Sequence, residues 1–138
     1  MVKTKLLIGR LERANLPNFG LYDQVVKIDS GAYSSSIHIF SVKEIGNQLE
    51  VQFKETDKTK ILFDSWKMKN VKSSNGIADR RYTILGRIVL GDIEYQTPFT
   101  LTDRSGMRYP ILIGRKLLNK KFIIDSSLVN VLSNSITS

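Results

Sequence analysis

Apolar residues along this chain recur mostly with period two, in short runs broken by turn-forming residues, which is the pattern of a mainly β domain. Such runs at 6–8, 24–29, 37–42, 49–53 and 60–63 predict strands. The clearest hairpin joins 82–90 to 93–101 around Gly91-Asp92, because glycine at the first turn position suits a two-residue type II′ loop. On its second arm Ile93, Tyr95, Phe99 and Leu101 share one face, with Glu94, Gln96 and Thr100 opposite. Pro98 has no N–H for a ladder, so that arm is expected to have one free edge. A second hairpin is predicted at Ser73-Ser74-Asn75-Gly76, where Asn-Gly accommodates a type I′ turn. Its flanks, WKMKNVK and IADRRYTIL, are long and polar, as befits an arm projecting from the body. The one convincing helix is 115–120, after the apolar triplet 111–113 and Gly114. Strands are then expected to resume at FIID and at 128–132.

The chain of 138 residues is expected to form a single domain over 1–132, followed by a frayed tail at 133–138. It contains no run approaching the roughly 20 apolar residues that span a bilayer. Its first residues, MVKTKLLIGRLER, hold too short an apolar stretch for a signal peptide, so a cytoplasmic location with no membrane partner is expected. Cysteine is absent and there is one histidine, His38, which excludes disulfides, thiolate chemistry and a Cys/His zinc site within one chain. His38 lies in the alternating run Ile37-His38-Ile39-Phe40 and is expected to make a structural hydrogen bond on a sheet face. No GxSxG elbow or glycine-rich phosphate loop occurs, so hydrolytic chemistry would have to rest on carboxylates, with no cofactor. The net charge of +8 favours acidic partners. Its basic residues are scattered in small clusters at 54–60, 67–72 and 116–121, without the run of a nucleic-acid arm.

One carboxylate stands out. In VVKIDSGAYSSS, residues 25–36, an apolar run delivers Asp29 to a hydroxyl, a glycine and an alanine. An ordinary strand-ending turn with an Asx-type hydrogen bond accounts for this tripeptide; half of an active site is the alternative. Further on, Ile111-Leu112-Ile113-Gly114-Arg115 supplies a second apolar run that ends in glycine before the short helix.

This pair of motifs resembles the retropepsin-like aspartic proteases, which carry Asp-Thr/Ser-Gly-Ala after an apolar strand and an apolar-apolar-Gly-Arg segment near the C-terminus. The likeness extends to the bacterial and archaeal branch often labelled ATP-dependent zinc proteases, through GRLE (9–12), KIDSGAYSSSIHI (27–39), KSSNGIADRRYTI (72–84) and LTDRSGMRYPILIGRKLL (101–118). The label itself finds no metal cluster or nucleotide loop in these residues. The resemblance implies an all-β, retropepsin-like barrel, closed or partly open, with one short C-terminal helix. It also implies an association with ATP-grasp ligases that add glutamates to proteins.

By the same resemblance Asp29 is the catalytic carboxylate. The mechanism needs two carboxylates sharing a proton, and this chain has one Asp-Ser-Gly, so a homodimer across a two-fold axis is implied. Ser30 would then bond across the pair, and Gly31 would let backbone approach it. Ala32 brings no hydroxyl to the pair, which extends the expected activity toward neutral pH. Ser73, Ser74, Asn75 and Gly76 are the candidate flap over the substrate, with an ordinary exposed hairpin as the alternative. Gly114 and Arg115 are the expected structural supports, Asp103 being a candidate acid for Arg115. Three readings follow: an aspartic endopeptidase acting on a protein or peptide, acidic in view of the charge; a peptide-binding module of the same fold with weak or no cleavage; and, less well supported, a basic barrel that binds nucleic acid.

Overall fold

The computed structural model describes residues 4–72, 76, 78–103, 106 and 108–132. Twelve strands are formed: β1 (Leu6–Ile8), β2 (Leu11–Leu16), β3 (Leu21–Ile28), β4 (Ser35–His38), β5 (Ser41–Ile45), β6 (Gln48–Gln52), β7 (Ile61–Phe63), β8 (Lys67–Lys72), β9 (Ala78–Leu90), β10 (Ile93–Thr102), β11 (Ile111–Ile113) and β12 (Phe122–Ile124). The described elements also include a 3-10 turn at Pro17–Phe19 and a short helix, α1 (Arg115–Leu118).

Following the hydrogen bonds around the main sheet gives β10-β4-β11-β3-β2-β9, and β9 pairs back to β10. The ring is therefore a closed six-stranded barrel, which leaves no open sheet edge within it. The β9–β10 hairpin forms as its pattern predicts, turning at Gly91 with φ 66°. Its second arm pairs with β4 only from Phe99 onward, one residue beyond Pro98. Ile93 is exposed at the hairpin end, while Phe99 and Leu101 are buried. Strand β9 is long enough to serve twice: 83–90 pair with β10, and 78–83 pair with β8. The β8–β9 hairpin thus extends off the barrel as an arm, with β8 paired in the sheet to β9.

The core is aromatic at its centre. Phe19 stacks on Phe53 at 4.7 Å and meets Phe99 and Phe63 edge-on at 5.7 Å or closer. Gly86 makes this possible, since a Cβ there would lie 2.5 Å from the Phe99 ring. The antiparallel meander β5-β6-β7 contributes Leu49, Val51 and Phe53 to the same cluster.

Two strand expectations and the end of the helix differ from the pattern. The run 37–42 is broken, with β4 ending at His38 and β5 starting at Ser41. Between them Ile39 N–H donates to Thr102 and Phe40 N–H to Gln52, so the chain passes from the barrel to the meander. Helix α1 stops at Leu118, and Lys120 at φ 69° turns the chain out of it. The stretch 128–132 is not a strand, making a single bridge from Val129 to Leu11. Its next N–H groups go to Leu11 carbonyl at Asn130 and to the Glu12 carboxylate at Val131 and Leu132. Glu12 is fully buried on β2 and also accepts from Gly9 N–H at 2.8 Å. Gly9 itself packs so closely on Leu128 that a Cβ would lie 2.4 Å from its carbonyl oxygen. The GRLE segment is thus a structural corner, clamping the chain end against the first strands.

Candidate active site

Asp29 is set at the end of β3 by a strand inserted from far along the chain. β11 lies between β3 and β4, parallel to the first and antiparallel to the second. The loop joining β3 to β4 must therefore cross the end of β11. Asp29 N–H donates to the Ile113 carbonyl at 2.9 Å, and the N–H groups of Arg115 and Lys116 donate to Ala32 and Tyr33, each at 2.8 Å. The crossing occurs at Gly114. A Cβ at that position would stand 2.6 Å from the carbonyl oxygens of both Tyr33 and Ser34, so only glycine fits unshifted. Gly114 N–H also donates to the buried Ser35 hydroxyl at 3.1 Å.

Within the loop, Gly31 N–H donates to the Asp29 carboxylate at 3.0 Å, fixing one oxygen. Asp29 is half-buried, so the carboxylate remains accessible. Arg115 Nη1 donates to the Ser30 carbonyl at 2.9 Å, and its guanidinium lies 5.9 Å from the centre of the Tyr33 ring. Asp103 stands instead at 3.7 Å from His38 Nδ1, so the carboxyl partner considered for Arg115 is replaced by a backbone carbonyl. His38 ends β4, half-buried, with its N–H donating to Pro110. Asp29, Ser30, Gly31, Ala32, Gly114 and Arg115 are thus brought into one constellation. Of the candidate flap, Ser73, Ser74 and Asn75 lie outside the described residues; Gly76 is exposed with φ 82°.

The arm stands over the far side of this loop. Lys69 Nζ on β8 donates to Ser34 Oγ at 2.9 Å. Between them lies a cleft of about 380 Å³, lined by Ala32, Ser34, Ser36, Lys69, Arg81 and Thr100 among others. A larger cleft of about 900 Å³ runs from Arg81 to the meander, past Ile37, Phe53 and Tyr82. The arm's base is braced by Tyr82, which packs edge-on against Trp66 and donates to Glu44 at 2.8 Å. The Glu44 acceptor first, and burial second, hold the Tyr82 phenol above its ordinary range.

Sequence reasoning does not single out Lys69, which is one member of a basic cluster; the β8–β9 register alone puts it at the loop. Among the described residues no three His, Cys, Asp or Glu side chains are grouped to hold a metal. No described helix is long and apolar enough to cross a membrane.

Comparisons with known proteins agree with this architecture. The chain is 33% identical over 136 residues to a probable alpha-L-glutamate ligase of Shewanella pealeana, and 28% identical over 130 residues to one of Parasynechococcus marenigrum. It spans only 30% and 28% of the length of those relatives. The crystal structure of a Legionella pneumophila protein of unknown function superposes with a TM-score of 0.70 at 24% identity, covering 94% of this chain and 99% of that one. The family model described as retropepsin-like aspartic endopeptidase RimB matches residues 7–134. The chain belongs to this RimB-like, retropepsin-like family.

Proposed function

We propose that the protein is an aspartic endopeptidase that works as a homodimer, with one Asp29 from each protomer. The observation that carries this reading is the half-exposed Asp29 carboxylate, held by Gly31 N–H in a loop locked across β11 at Gly114. In the assembled pair one carboxylate takes a proton from water while its protonated partner donates to the scissile carbonyl oxygen. Collapse of the resulting gem-diol breaks the C–N bond, with the proton passing to the leaving nitrogen. Ser30 would tie the two loops together, and the residues 73–76 would cover the bound peptide. The net charge of +8 and the glutamate-ligase names of relatives support an acidic protein substrate, one bearing added glutamates. They support a functional link to a ligase of that kind.

The test compares wild type and Asp29→Asn on a glutamylated protein, with products scored by mass spectrometry. Cleavage by wild type alone is expected, and equal cleavage by both refutes the aspartic mechanism. Full activity from a species that sediments only as a monomer refutes the shared site. Peptide capture without cleavage by either protein favours the second reading, a binding module, which the exposed arm beside the loop also suits.

A further inference from the structure

We propose that Lys69, with Arg81 across the ladder, forms a subsite that selects an acidic side chain of the peptide lying beside Asp29. The proposal rests on the peptide-groove reading above but not on turnover. The register pairs Lys69 directly with Arg81, so the two cations leave the arm on the same face. Both side chains line the 380 Å³ cleft together with Ala32, three residues from the catalytic carboxylate. No acidic residue is among the described residues lining it.

The chemistry of the walls is also that of a carboxylate site. Lys69 Nζ donates to the neutral Ser34 hydroxyl, which takes one of its three donors. Ser36 and Thr100 add hydroxyls. A glutamate side chain has the reach and the acceptor geometry to replace or share the Ser34 contact, and its amide analogue would forfeit the charge-assisted part.

Binding to the Asp29→Asn protein tests this without cleavage, using labelled hexaglutamate and hexaglutamine peptides and fluorescence anisotropy. The parent should prefer hexaglutamate. Lys69→Met should reduce that preference by about tenfold, and Lys69→Arg should retain it. A parent without preference overturns the proposal. So does Lys69→Met weakening both peptides equally, since Lys69 would then only position the loop. Preferential binding by a protein that never cleaves would overturn the endopeptidase reading and leave the subsite standing.

Discussion

Replacing Glu12 should show that the GRLE corner is a fold-defining clamp. Its buried carboxylate accepts from Gly9, Val131 and Leu132 N–H at 2.8–3.0 Å. Glu12→Ala strands these donors, and each donor that stays buried costs about 1–3 kcal/mol. Gly9 is buried, with the Leu128 backbone packed against its Cα. Residues 131–132 can peel away, at the expense of burying Leu132, worth about 2 kcal/mol. The sum is a loss of roughly 3–5 kcal/mol, a large share of the roughly 5–15 kcal/mol of a typical domain. With a urea slope of about 2 kcal/mol/M, the midpoint should fall by roughly 2 M. Glu12→Gln should fall in between, because its oxygen can serve Gly9 and Val131 while its amide faces the Leu132 donor. Urea unfolding read by the single tryptophan, Trp66, gives the midpoints, and hydrogen exchange at Leu132 reports the released segment. Unchanged midpoints and unchanged exchange in Glu12→Ala would refute the clamp.

Other consequences follow from the site. Gly114→Ala forces a methyl group against two backbone carbonyls and should lower Tm by roughly 5–10 °C in a thermal melt, with a larger loss of cleavage than of stability. Ala32→Ser adds a hydroxyl beside Asp29 and, on the proposed shared carboxylate pair, should move the pH–rate profile to lower pH; an unmoved profile would count against the pair. The Asp125 carboxyl is held below its ordinary range by the Ser127 hydroxyl and backbone N–H, so its share of stability is present above the unfolded carboxylate pKa and lost as pH falls through the lowered folded one. Ser127→Ala should move its NMR titration back toward the ordinary range.

The pairing of Asp29 with a distant glycine was implied by the family resemblance of the two motifs, each a glycine-bearing turn after an apolar run. The β9–β10 hairpin was legible in the chain: its alternation and its Gly91 turn are local. The second strand was not. In LERANL the inward positions of β2 are Glu12, Ala14 and Leu16, so a carboxylate occupies a core position and masks the alternation. The partners that make this burial tolerable are contributed from positions 131 and 132, and no local pattern announces them.

What the sequence determined by itself was therefore the β character, the β9–β10 hairpin, the family resemblance and the candidate carboxylate, since these rest on period-two alternation, turn chemistry and short motifs. Tertiary structure decided the insertion of β11 between β3 and β4, the steric demand on Gly114, the backbone partner of Arg115 and the placing of Lys69 opposite Arg81 at the loop. Each of these is a contact between segments remote in sequence, or a register set by pairing. Such contacts are selected by the closure of the barrel as a whole, which no local run of residues encodes.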